Sequence, residues 1–313
     1  MEFALSTSYF AGRQWSPEAI AERTRALGFS RVELGYFTRE NEIDAWKRLA
    51  RDEALEIQSL HAFCPMPMGM PQLGPEVFSL ADPEGEQRAS AVRAILRSLE
   101  AAVTVGARVI VCHGGRVEMR QPGAFFGSKP YRSQLSQAFR ALGGRVDVQL
   151  VERERQYRSS EAQHWMDAIS FSLDEVLPYF ESAGIVLAFE NLPGFEAFPD
   201  PAEMAFLKQR FPSPALGAWY DIGHGERKAR VGDWPVDDTL AFTFAMTVGV
   251  HIHDVVGLEE DHRAPGEGSV NYHHLLPLLQ KDELLRVFEP NPNLPEATLR
   301  EGLAFMQGIM AEV

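Results

Sequence analysis

The run GVHIHDVVG (249–257) alternates apolar residues with two histidines and closes on an aspartate. Such alternation is strand-like, and His251 and His253 then share a face because residues i and i+2 do. Other short apolar runs end in the same kind of chemistry. Glu33 stands in VELGY, His61 in QSLHAF, His113 in VIVCHGG, Glu190 in LAFEN, Asp221 and His224 in WYDIGH, and Glu289 in RVFEP. Taken singly, each histidine reads as a hydrogen-bonded core residue. Taken together, the acids do not, because burying an unpaired carboxylate costs on the order of several kcal/mol. A divalent metal is the simplest neutraliser, and a carboxylate–imidazole donor mix suits manganese, cobalt, zinc or magnesium in different measure. On this reading His251 is a ligand, while His253 and Asp254 orient it or contact substrate.

Eight β-rich runs must position these groups: 3–10, 30–37, 56–63, 107–115, 184–194, 215–225, 249–257 and 284–292. Several are continuous in Val, Ile, Leu and Phe, as buried parallel strands are. Helical patterns alternate with them at 16–28, 42–54, 86–107, 169–184, 200–211, 236–248, 272–283 and 294–310. The first has Ser16 as N-cap, Pro17 at N1 and Gly28 past its end. Eight β-then-α units with no linker or second core predict an α/β fold, a single (β/α)8 TIM barrel domain over 1–313. A doubly wound sheet usually opens with a glycine-rich turn, which STSYFAGRQW lacks. Chemistry in such barrels sits at the C-terminal strand ends, where the runs carry their His, Asp and Glu. The long insertion after the fourth strand, 116–165, falls at that end. Its Phe125, Phe126, Tyr131, Tyr157 and Trp165 suit a lid. The stretch FCPMPMGMPQLG (63–74) suits an apolar wall of a small-molecule pocket.

Composition narrows the function classes. The formal charge is −14. The 116–165 insertion holds nine Arg or Lys and five acids, a local +4 that leaves −18 elsewhere. That balance makes nucleic acid an unfavoured partner. No apolar run approaches the ~20 residues of a bilayer span, so no membrane partner is expected. The N-terminus lacks a basic segment before an apolar core, so no signal peptide is expected. Cys64 and Cys112 lie in apolar surroundings and suggest reduced thiols in a cytoplasmic protein. Whether the chain forms a homo-oligomer is left open.

The motifs AFEN, YDIGH, GVHIHD, DHRAPGEG and RVFEP, in this order, resemble the xylose isomerase-like barrel superfamily across essentially the whole chain. That superfamily holds sugar isomerases and epimerases and the apurinic endonuclease (endonuclease IV) family. The resemblance to the epimerases implies Glu190, Asp221, His251 and Glu289 as metal ligands, His224 and Arg263 as substrate contacts, and a carbohydrate substrate. Glu190 and Glu289 would then trade the proton α to a carbonyl, with a hydride shift as a variant. Glu33 lines the pocket or makes a structural hydrogen bond. The resemblance to the endonuclease implies further metal ligands at His61, His113, His224 and His262, with Glu260 as an added acid, and a phosphodiesterase acting on abasic DNA. The isomerase is the preferred reading.

Overall fold

A computed structural model describes residues 2–52, 55–67, 74–118, 145–258 and 260–312. Eight parallel strands close into a barrel. They are β1 (Ala4–Ser6), β2 (Arg31–Leu34), β3 (Glu56–His61), β4 (Val109–Cys112), β5 (Val186–Glu190), β6 (Leu216–Asp221), β7 (Thr247–Ile252) and β8 (Leu285–Phe288). Each pairs with its neighbours in sequence, and β8 closes on β1. Alternation along the strands divides two cores. Val109 and Val111 turn inward with Ala4, Ala188, Trp219, Leu285 and Val287 to fill the barrel. Ile110 and Cys112 turn outward against the helices. The barrel is therefore packed below and chemically furnished only at its top. Gly249 makes this packing possible, because a Cβ there would overlap the Trp219 ring.

The first helix, α1 (Pro17–Ala26), is bounded by the expected residues. Ser16 Oγ accepts the Ala19 N–H at 3.3 Å, and Gly28 follows at φ +97°. A capping box of Asp200 and Glu203 starts the helix Pro201–Arg210.

Several expected boundaries move. The 3–10 run is strand only over Ala4–Ser6, and Thr7–Phe10 winds into a 3-10 turn. The 272–283 pattern yields one helical turn, Leu276–Leu279, with turns on either side. The 215–225 run splits at Asp221, whose side chain accepts the His224 N–H and caps a new helix, Ile222–Arg230.

Much of the expected lid, 119–144 with Phe125, Phe126 and Tyr131, lies outside the described residues. The rest of the insertion forms the helix Val148–Glu161 and leads into Gln163–Ala183. Two arginines of that helix bind acids of the body. Arg158 pairs with Glu203 and, at 3.3 Å, with Asp200, and Arg155 pairs with Asp233 at 2.9 Å. Charges committed in this way are not presented to a polyanion. Among the described residues no helix is long and apolar enough to cross a membrane.

Candidate metal centre

Six of the nine histidines gather at the C-terminal ends of the barrel strands. Among the described residues they fall, with three acids, into three sets, in each of which the donor atoms lie within 4.8 Å of one another, and Glu190 is common to two of them. The central set is Glu190, Asp221, His251 and Glu289; beside it stand His61, His113 and Glu190 on one side and His224, His253 and His262 on the other.

The central set is organised around His251, which is fully buried. Its Nδ1 faces Glu190 at 3.3 Å, Glu289 at 3.4 Å and Asp221 at 3.7 Å. Its Nε2 faces Glu33 Oε1 at 3.1 Å, and Ser59 donates to the other Glu33 oxygen at 2.8 Å. A carboxylate behind a histidine fixes the ring and leaves the opposite nitrogen as donor to a metal. Burial works against charge here and the partners overcome it. Burial would lower the His251 pKa, but Glu289, Glu33 and Glu190 raise it well above the ordinary value. Burial would raise Glu190 and Asp221, but the imidazoles hold both well below the usual carboxylate range. Three carboxylates sharing one imidazole nitrogen is a donor set that a divalent cation fits. Glu190, Asp221, His251 and Glu289 would hold it.

Glu190 also faces the first flanking set. Its Oε2 is 3.1 Å from His61 Nε2 and 3.2 Å from His113 Nε2. The far nitrogens of both rings have acceptors: His61 Nδ1 donates to the Ala62 carbonyl at 3.0 Å, and His113 Nδ1 lies 3.3 Å from Glu76. Burial would lower the His113 pKa, yet Glu190 and Glu76 push it up to about 9. Arg116 holds Glu76 in turn, at 2.6 Å.

In the second flanking set, His224 Nδ1 donates to the Asn191 carbonyl at 3.1 Å and His262 Nδ1 to the Glu289 carbonyl at 2.8 Å. His253 differs. Its Nδ1 accepts the His262 backbone N–H at 2.9 Å, and its Nε2 meets Asp221 at 2.9 Å. The His253 and His262 rings stack with centroids 4.1 Å apart.

Other expected residues sit apart from the donor cluster. Glu33 is fully buried behind His251 and makes the structural hydrogen bonds expected as one of its two readings, to His251 and Ser59. Asp254 is spent on backbone: its carboxylate accepts N–H groups of Val255, Gly266 and Val270 and shapes the loop after β7. Arg263 is partly exposed and pairs with Glu267 at 2.7 Å. Glu260 is exposed and belongs to none of the three donor sets. Three supporting residues were not foreseen. Ser59 and Asn191 hold the site through hydrogen bonds and Glu76 through its pairs with His113 and Arg116, and Asn191 clamps the Asp221 backbone at 2.8 and 3.0 Å. Asn191 and Ser59 stand within quoted motifs, as the last residue of AFEN and the second of QSLHAF, whereas Glu76 does not.

The xylose isomerase-like TIM barrel family model matches residues 21–309. A crystal structure of a D-tagatose 3-epimerase-like protein superposes with a TM-score of 0.68 at 20% identity, covering 100% of this chain and 99% of that one. The 3-keto-D-glucoside 4-epimerase YcjR of E. coli superposes at 0.67 with 18% identity, covering 98% and 99%. The uncharacterized protein MJ1311 of Methanocaldococcus jannaschii is 27% identical over 112 residues, 35% of this chain, and the match spans only 38% of that protein. With a family model matched over nearly its full length and a closed eight-stranded barrel beneath the site, the chain belongs to the xylose isomerase-like TIM barrel family.

Proposed function

We propose that the protein is a divalent-metal-dependent isomerase or epimerase acting on a small sugar or related polyol. The convergence of Glu190, Asp221, His251 and Glu289 carries this reading. The epimerase and epimerase-like proteins among the structural relatives agree with it, by analogy of fold. Bound there, the metal would polarise adjacent oxygens of an α-hydroxycarbonyl. The two glutamates are suited to different work. Glu190 is fully buried and touches His61, His113, His224 and His251, which favours holding charge over moving protons. Glu289 keeps 13% of its side-chain surface open and, among the described residues, pairs with His251 and His262, at 3.4 and 3.8 Å. Glu289 is therefore the better placed to take the proton α to the carbonyl. His224, tied to the Asn191 carbonyl through Nδ1, offers its Nε2 to a substrate hydroxyl. Solvent deuterium incorporation into a panel of ketoses, with manganese, cobalt, zinc or magnesium supplied, tests this reading. Exchange that disappears in Glu289→Gln is expected; no exchange into any ketose with any of these metals would overturn it.

One observation favours a second reading. His61 and His113 each present Nε2 to Glu190 and satisfy Nδ1 elsewhere, the arrangement expected of a second metal position. Two or more tightly held ions per chain, together with salt-sensitive cleavage of an abasic duplex, would point to metal-assisted phosphodiester hydrolysis.

A further inference from the structure

A cleft of about 980 Å3 opens beside the metal centre, over the ends of β1 and β2. Its inner wall includes Thr7 and Tyr36. Thr7 Oγ1 accepts the Gly35 N–H at 2.8 Å and joins the two strand ends. The Tyr36 ring packs edge-on against His61 with centroids 6.0 Å apart, so the cleft begins where the donor cluster ends. A six-carbon sugar has twelve heavy atoms. Even at a water molecule's share of ~30 Å3 each, these take up ~360 Å3. The cleft therefore exceeds what the reacting sugar needs.

Its walls indicate what fills the remainder. Trp15 and Phe37 are each 38% exposed, and both line this one cleft, where they supply two large aromatic surfaces for an occupant to cover. Both are held in place. Phe10 and Trp15 lie 5.7 Å apart, Tyr36 and Phe37 lie 4.4 Å apart, and the Arg13 guanidinium sits 5.4 Å from the Trp15 ring while donating to the Pro292 carbonyl at 3.0 Å. Hydrogen-bonding groups of Gln14 and Arg39 border these faces. An apolar face with a polar rim is the complement of a pyranose, whose C–H groups line its faces and whose hydroxyls line its edge. A fatty chain would leave the polar rim unpaired. A phosphate would meet Glu40 and Glu42 beside Arg39, a net negative border.

We propose that the substrate is a glycosylated ketose and that this cleft binds its second, non-reacting ring on Trp15 and Phe37. The inference rests on the isomerase reading above, and its test separates the two. The manganese-loaded protein is titrated by calorimetry with D-fructose and with its 6-O-glucosyl derivative isomaltulose, and deuterium exchange into each sugar is followed in parallel. Isomaltulose binds about tenfold more tightly, as an added aromatic-backed contact provides. Trp15→Ala and Phe37→Ala each bring that ratio down to about twofold or less, and Trp15→Phe, which keeps an aromatic face, retains most of it. Equal binding of the two sugars, or a preference that survives both alanine variants, would overturn the second-ring cleft whatever the exchange assay shows. Exchange absent from both sugars would count against the isomerase reading while leaving the binding ratio to decide the cleft.

Discussion

His251 and His253 stand two residues apart near the end of one strand, both fully buried and both facing Asp221, yet they are wired in opposite senses. His251 gives its Nε2 to a carboxylate, Glu33, and turns a donor nitrogen toward three acids. His253 receives a backbone N–H on Nδ1, so its proton sits on Nε2 against Asp221. Burial lowers the His253 pKa and Asp221 raises it, with a net rise, but a proton on Nδ1 would confront the His262 N–H. The same residue type in the same alternation thus yields an imidazole nitrogen turned toward three acids in one case and a clamp on Asp221 in the other. The difference lies in what the second ring nitrogen meets.

The sharpest break in this contrast is at Glu190, which joins the His251 nest to the His61–His113 pair. Glu190→Gln removes the charge that the surrounding imidazoles compensate. Turnover is expected to fall by at least about 100-fold with metal content reduced, more than the ~10–100-fold of losing an outer partner, read by deuterium exchange and metal analysis. A variant with full metal content and turnover would show that the central acid is structural only.

Next in size is Glu33→Gln. The amide keeps the shape but loses the charge that orients His251. Losing such a partner costs about 10–100-fold in metal affinity or activity. Glu33→Asp, which restores charge, recovers part of it if positioning is the cause. An unaltered metal affinity in Glu33→Gln would remove Glu33 from the design.

The His251 side also predicts a pH dependence. In the metal-free protein the His251 pKa is raised, so its ion pairs stabilise the fold fully below the ordinary histidine value and lose this as pH rises through the raised one. Glu190 and Asp221 are lowered, so their contribution holds above the ordinary carboxylate range and fades as pH falls through the lowered values. A metal must displace the His251 proton. Affinity should therefore rise by up to about tenfold per pH unit between pH ~6 and ~8, measured against a competing chelator. A flat profile would mean that no protonated histidine is displaced.

The barrel was legible because eight buried strands read as near-continuous apolar runs, and because Ser16 and Gly28 bounded the first helix as their chemistry requires. The gathering of acids and imidazoles was legible from strand ends alone. The helix Ile222–Arg230 was not, since Asp221 reads equally as the end of a strand and as an N-cap, and it is both. Nor was the division of labour between Asp254 and Asp221. Asp254 folds back onto three backbone N–H groups of its own loop, a tertiary choice that residue type does not encode. Gly223 carried an unread signal: a Cβ there would overlap the His253 ring, so the glycine marks where that imidazole must lie.

The smallest expected effect is the most discriminating. In His253→Gln the side-chain carbonyl can accept the His262 N–H and the amide can donate to Asp221, so both hydrogen bonds of the clamp have a substitute. If His253 only holds Asp221 in place, the central site keeps its metal, and affinity changes by no more than about threefold, because each neutral-for-neutral exchange of a satisfied hydrogen bond is worth ~1 kcal/mol or less. If His253 is itself a ligand of a further ion with His224 and His262, the variant loses one bound metal per chain. Such ligation through Nε2, with Nδ1 already accepting an N–H, would need a ring stripped of both protons, which an ordinary divalent site does not supply. Metal analysis of the wild type and His253→Gln, prepared side by side, should therefore give the same count, and a drop of one ion would move His253 from the clamp to the ligand set.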